Sequence, residues 1–485
     1  MSTIALSRNK GFYIKEAIMV ILMFAGFFIH GGALPDYGWR ILFAFVGLLY
    51  GWSVVGLITP SLLGLIALGC AGSKATVLAA WTSGFGGNVV CIIVLFSILS
   101  KWMEEIGLIK TIMNWFVSRK ALAGKPWLFV AAFFAVIYFL GFLTEAFPAI
   151  LLGWACAYDL CELAGIEKRS PMMGFLIVNI PAIAAMGTFC KPWGSWGIVA
   201  LSTYSAALPG AEISFPAYMV WTTLVYIFAI AFTVLFGKYV FKLDASPFEK
   251  GDFSAISSHI KLTGEQKFAS VFMIILIIFL FLPAYLPDGA AKTILNTNMG
   301  VVGIAVAAVA VVGLFKKEDG TQVLDFKKVA NMRAIPWDPI ILLTATVPLG
   351  NALRGDEAGI MPIIENFVST HMGNLSPLVF YCLTAVFLGV LTQVAHNVVL
   401  LVAITPIFLS VSDTLGFNSA LILMIASVVL AASLGTPAAS TRAGMVFGNA
   451  EYVTIGDAYK FGWLSSLTSI LACLIIGVPL GLVLL

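Results

Sequence analysis

Long apolar runs recur along the whole chain. Residues 17 to 29, 217 to 236, 268 to 287, 299 to 315 and 461 to 485 contain no charged side chain. Runs of this kind approach or exceed the roughly 20 residues that cross a bilayer core of about 30 Å as helix. Runs of that length predict helices rather than a barrel. The pattern predicts an all-α polytopic membrane protein with about 11 spans and two re-entrant hairpins. The amino terminus carries Arg8, Lys10 and Lys15, and the apolar run after it lacks a small-residue cleavage site, so that run is expected to be the first span.

Four segments depart from plain spans. Stretches 127 to 163 and 375 to 412 are each two apolar halves, meeting at Thr144 to Ile150 and at Thr392 to Val398, and they predict the hairpins. Segments 172 to 208 and 418 to 450 are too long for one tidy span and are interrupted by GTFCKPWGSWG and GTPAASTRAG, which predicts broken helices. Irregular backbone at that depth is tolerated only where it is buried in protein or lines a wet cavity.

These segments repeat. Laying GFLTEAFPAILL (141 to 152) over GVLTQVAHNVVL (389 to 400) pairs Gly141 with Gly389, Leu143 with Leu391, Thr144 with Thr392 and Leu152 with Leu400, an offset of 248. The same offset pairs Ala184, Gly187 and Thr188 with Ala432, Gly435 and Thr436, and Ile92 and Ile93 with Ile340 and Ile341. The expected organisation is N-terminal scaffold spans (1–80), a first repeat (81–240), linking spans and loops (241–335) and a second, inverted repeat (336–485). Paired broken helices in inverted repeats place a transporter's site near the membrane midplane.

Loop charge gives the expected orientation. The amino terminus and segments 101–125, 167–170, 238–267, 316–333 and 451–460 hold 21 of the 27 Lys and Arg residues; the opposite loops hold only Arg40, Lys74, Lys292 and Arg354. By the positive-inside rule the basic loops and the N-terminus face the cytoplasm, which implies a cytoplasmic membrane location. Two bases remain, Lys191 and Arg442, and each sits in one of the breaks.

Composition agrees: 60% hydrophobic and 11% charged residues leave too little polar surface for a soluble globule, and a net charge of +3 says nothing of nucleic acid. The seven cysteines show no metal-ligand or paired spacing and read as packing residues. A membrane enzyme lacks support, since no zinc, nucleophile-elbow or phosphate-loop motif is present. A channel would want a continuous polar ring, which discontinuous helices do not supply.

The stretches PWDPIILLTATVPLGNALRGDEAGI (336–360), LTQVAHNVVLLVAITPIF (391–408) and LGTPAASTRAGMVFG (434–448) resemble the divalent anion:sodium symporter family of the ion transporter superfamily. The resemblance extends from about Trp81 to the end. It implies hairpin tips and helix breaks that bind sodium and substrate carboxylates, and a homodimer. Of the family's Ser-Asn-Thr tips only Asn397 is matched; the first tip reads Pro148, Ala149, Ile150, and Lys191 stands where the family has Asn. Sodium coupling is therefore expected to be weak or absent, with a residual site near Asn397, Gly435 and Thr436 and no other cofactor.

Lys191 and Arg442 could supply two charges to a di- or tricarboxylate or a sulfate-like oxyanion, since an unpaired carboxylate in a low-dielectric site is costly. Thr188, Thr436, Asn397, Ser195, Ser440 and Thr441 would add neutral hydrogen bonds. Three readings compete. Lys191 could be neutralised by Glu145 as a structural pair, Arg442 could snorkel, and Glu145 or His396 could carry a coupling proton, as in a sodium/proton antiporter of the same superfamily. Trp193, Trp196 and Phe189 read as packing or site walls.

Overall fold

The computed structural model describes residues 10–72, 76–117, 124–250, 262–331, 334–363, 366, 370 and 375–484. Among them there is no strand, only a lone antiparallel bridge between Lys316 and Gln322. The chain is an all-α polytopic membrane protein. Eight described helices are long and apolar enough to cross a bilayer, or nine if the pair bent by 48° at Gly86 and Gly87 is one span. Three shorter apolar helices, Ile58–Ala71, Pro377–Leu391 and Ser419–Ala431, lie outside that count.

Helices α1 (Lys10–Phe24), α2 (Asp36–Val54) and α3 (Ile58–Ala71) pack together, followed by the bent pair α4 (Val77–Phe85) and α5 (Asn88–Glu105) and by α6 (Leu108–Val117). The first expected hairpin is α7 (Pro126–Leu143) and α8 (Ala146–Leu163). Its turn is only Thr144 and Glu145, so Pro148, Ala149 and Ile150 lie in the first turns of α8 rather than at the tip.

The first broken helix is α9 (Pro171–Cys190) and α10 (Ser195–Ala207). Ser170 starts α9 by accepting the Met173 N–H at 3.3 Å, and Pro171 sits where its missing N–H costs nothing. Pro192 ends it, because a residue before proline is pushed out of the helical region; Lys191 has φ −85 and ψ 116. Every residue of α9 from Met172 onward is buried, which makes it the central column of the molecule.

Contacts along α9 fix how the hairpin runs. Trp127 and Phe134 of α7 meet Phe175, and Gly141 packs so closely on Ala184 that a Cβ would lie 2.1 Å from its carbonyl oxygen. In α8 the order reverses: the Trp154 indole donates to Ile177 O at 2.9 Å, and Arg169 N donates to Tyr452 O beyond the helix end. Thus α7 runs parallel to α9, α8 runs antiparallel, and Lys125 and Lys168 emerge at the same end. Single cysteines at these two positions, in a cysteine-free background, are expected to react with an impermeant maleimide from one side only; labelling from opposite sides would remove the hairpin. Position 120, in the same basic loop, lies outside the described residues.

After α11 (Phe215–Leu235) come α12 (Gly264–Tyr285) and α13 (Gly300–Leu314). Spans Gly264–Tyr285 and Ala290–Leu314 are the least buried of the eight, at 28% and 22%. The chain continues through α14 (Trp337–Arg354), α15 (Pro377–Leu391) and α16 (Asn397–Thr414), then α17 (Ser419–Ala431), α18 (Thr441–Gly448) and α19 (Ile455–Ala472). Phe380 and Tyr381 at the start of α15 meet Phe417 and Asn418 before α17, and at its end Gln393 reaches Gly435. Helix α18 descends towards the base of the first hairpin, where Asn449 donates to the Tyr158 hydroxyl at 2.7 Å and the Tyr158 and Tyr452 rings stack at 3.8 Å. It therefore runs antiparallel to α9.

Candidate functional site

The two turns and the two breaks converge on one cavity of about 1000 Å³. Its walls include Glu145, Ala146 and Phe147 from the first hairpin, Ser195 and Trp196 from α10, His396, Asn397 and Val398 from the second hairpin, and Thr441 and Arg442 from α18. Residues 330–331 and 335–339 form its rim, where Trp337 and Asp338 are exposed. A second cavity of about 310 Å³ lies further along α10, α14 and α16, lined by Thr203, Leu349, Arg354 and Val402 among mostly apolar neighbours.

The two buried bases differ in their surroundings. The Lys191 ammonium donates to Thr144 O and stands 3.5 Å from Glu145 Oε1, and the Lys191 side chain is 3% exposed against 25% for Glu145. Ser195 Oγ donates to the other carboxylate oxygen at 2.5 Å. Helix ends reinforce the pair: Lys191 follows the C-terminus of α9 and Glu145 precedes the N-terminus of α8, each opposite in sign to the local dipole. Gly194 is required here, because a Cβ would sit 2.3 Å from Lys191 Cε. Lys191 is not on the cavity wall; the carboxylate is the member of the pair that is.

Arg442 is different. It is 5% exposed, and its guanidinium donates to Ala431 O at 3.1 Å, Pro181 O at 3.4 Å and Ser433 Oγ at 3.1 Å. All three acceptors are neutral, and Arg442 takes part in none of the six ion pairs among the described residues. A guanidinium has five N–H donors; these contacts use three of them, and Arg442 lines the cavity. Snorkelling is overturned: the side chain is directed inward to α9 and the break, not toward an interface.

Other expected site residues divide in two. Ser195, Thr441 and Asn397 reach the cavity. His396 does too, with Nδ1 accepting the Val398 N–H at 3.3 Å, an acceptor role that needs a neutral ring. Thr188, Thr436 and Ser440 do not line it. Thr188 Oγ1 donates to Gly141 O at 3.3 Å and to Ala184 O at 3.2 Å, while Thr436 Oγ1 donates to Gln393 O. Each threonine thus ties a hairpin to its broken helix. Ser440 donates to Ser433 O at 2.7 Å and caps α18 by accepting Ala443 N–H.

Gln393, which sequence reasoning passed over, organises the second half. Fully buried, it accepts the Gly435 N–H at 2.7 Å and donates to Gly389 O at 2.9 Å and Ser466 Oγ at 3.0 Å. The signal was present, since the offset of 248 lays it on Glu145. Gln393→Leu is expected to destabilise the protein by about 2 kcal/mol by orphaning buried groups, read as a lower thermal midpoint in detergent. An unchanged midpoint would show that the clamp contributes nothing.

The oxygen atoms of the first turn do not fit a sodium ion, because the Lys191 ammonium is already bonded to Thr144 O and lies beside Glu145. At the second, Gly435 N and Thr436 Oγ1 are engaged with Gln393, and the Asn397 side-chain amide donates to Leu430 O at 3.4 Å. No group of three His, Cys, Asp or Glu suited to a metal occurs among the described residues.

The sequence profile of the sodium:sulfate symporter transmembrane region matches residues 198–485, more than half of the chain. No curated protein sequence matches significantly. Among solved structures the fold is similar to the Alcanivorax borkumensis YdaH transporter, whose crystal structure is described as revealing an unusual topology. The two share 15% identity and a TM-score of 0.59 over 92% of this chain and 99% of that one, a likeness of fold alone. The profile match takes in the stretches 336–360, 391–408 and 434–448 that carried the resemblance, and with it the chain belongs to the sodium:sulfate symporter family of membrane transporters.

Proposed function

We propose that this transporter carries small organic anions by alternating access, with Arg442 as the binding charge and with weak or no coupling to sodium. One observation supports this above the rest: a buried guanidinium with no acidic partner among the described residues lines a large cavity built from both hairpin turns and both breaks. An intramembrane cation so placed needs an anion to compensate it. Ser195, Asn397 and Thr441 supply neutral hydrogen bonds. Thr188, Thr436, Ser440 and Gln393 position the hairpins against the breaks.

The two halves act as inverted repeats in this reading, and the cavity opens beside residues 330–331 and 335–339, next in sequence to the basic loop 316–333. Loop charge puts that side in the cytoplasm, so the conformation is inward-facing. The protein works in the cytoplasmic membrane with its N-terminus inside, as a homodimer whose contacts draw on the little-buried linking spans.

Glu145 favours an anion carrier over a cation antiporter, because its carboxylate is held by Lys191 and Ser195 rather than free to exchange ions. Lys191 takes the place of a bound cation at the first turn. Uptake of labelled organic anions and sulfate into proteoliposomes, at fixed pH and potential, is expected to change less than about twofold when sodium replaces potassium. A steep sodium dependence with a Hill slope clearly above one would mean two working sodium sites and would overturn this account of the turns.

A further inference from the structure

The charge and lining of the cavity point to a narrower substrate class, an inference that rests on the anion-carrier reading. Two buried bases would suit a dianion, but only one is free. The Glu145–Lys191 pair sums to zero and turns its negative member to the cavity, while Lys191 stays behind it. Asp338 at the rim adds a second negative charge, and among the described residues no further positive one lines the cavity. A second carboxylate on the substrate would therefore meet carboxylates, or remain unpaired in a site partly removed from water. Sulfate meets the same obstacle.

The rest of the wall is not built for a small oxyanion. Phe147 stands in the first turn of α8, Trp196 in the first turn of α10 and Trp337 at the start of α14. The Trp196 ring lies parallel to Phe189, 6.1 Å between centroids with 10° between planes, so one face is backed by packing. A volume of about 1000 Å³ matches the upper end of the range for pockets that hold drug-sized molecules on apolar and aromatic walls. Flat aromatic bodies gain from offset stacking on such rings.

We propose that the cavity takes an organic monocarboxylate with a planar body of aromatic size, its carboxylate on Arg442 and its ring against Trp196 and Phe147. Arg442 suits this task because a guanidinium holds a carboxylate through two parallel N–H donors. Glu145 then acts as a charge filter: by cancelling Lys191 it sets the number of substrate charges at one.

The test is binding to the full-length protein in nanodiscs by a series that separates ring from charge: benzoate, terephthalate, acetate, succinate and sulfate. Benzoate is expected to bind at least tenfold more tightly than each of the others. Trp196→Ala should weaken benzoate about tenfold and leave acetate unchanged. Glu145→Gln leaves Lys191 uncompensated beside the cavity, so terephthalate should gain about tenfold relative to benzoate; the Glu145→Gln, Lys191→Met double variant should return to the wild-type order. The wild-type series stands by itself should a variant not fold. If terephthalate, succinate or sulfate binds wild-type protein as tightly as benzoate or more so, the single-charge proposal falls and the anion-carrier reading stands. If no anion in the series binds, or binding is indifferent to Arg442→Gln, both fall.

Discussion

Arg442→Gln is expected to reduce anion uptake by about thirtyfold or more while leaving the protein folded. Removing one charge from a buried carboxylate–guanidinium contact costs about 2–5 kcal/mol, and each 1.4 kcal/mol is a factor of ten in affinity. Glutamine can still donate to one of the neutral acceptors, Ala431 O, Pro181 O or Ser433 Oγ, that now hold the guanidinium. Arg442→Lys should recover little, since an ammonium on a flexible stem cannot span those three acceptors and present two parallel donors to the substrate. Uptake per incorporated protein in proteoliposomes, with a thermal midpoint as folding control, checks this. A folded Gln variant that transports at the wild-type rate would remove Arg442 from the site.

The second large effect falls on stability. Lys191→Met strands the Glu145 carboxylate beside a break without its partner, and losing one member of a buried pair costs about 3 kcal/mol or more. Folded yield and thermal midpoint should both drop. Adding Glu145→Gln removes the stranded charge, and the double variant should regain most of the stability and bind monocarboxylates. A single variant as stable as wild type would mean that the 3.5 Å pair contributes nothing. A stable double variant that binds no anion would return Lys191 to the substrate.

Sequence patterning revealed the hairpins and breaks because their causes are local. Pro192 forces Lys191 out of the helix, Pro171 and Ser170 start α9, and the matched Gly187–Thr188 and Gly435–Thr436 pairs mark equivalent places. The bend at Gly86 and Gly87 was available from the same kind of signal, two adjacent glycines between apolar helices. Side-chain direction was not legible. Lys191 and Arg442 look alike as lone bases in apolar segments, and only the turn at Thr144 and Glu145 brings a carboxylate to one of them. The threonines had a repeat signal but no way to show that their hydroxyls face Gly141 and Gln393 instead of the cavity. The first tip was placed too far along, at Pro148 to Ile150, because it was carried over from the position of the family's Ser-Asn-Thr, whereas near the start of α8 the missing N–H of Pro148 is harmless.

The central claim is that one anion site lies between both hairpin turns and both breaks. Single cysteines at Ser195 and Thr441, one from each half, test it in a cysteine-free protein treated with a small thiol reagent. Both should react, and a saturating transported anion should slow both reactions at least tenfold. Modification of either residue at the same rate with and without that anion would contradict the account.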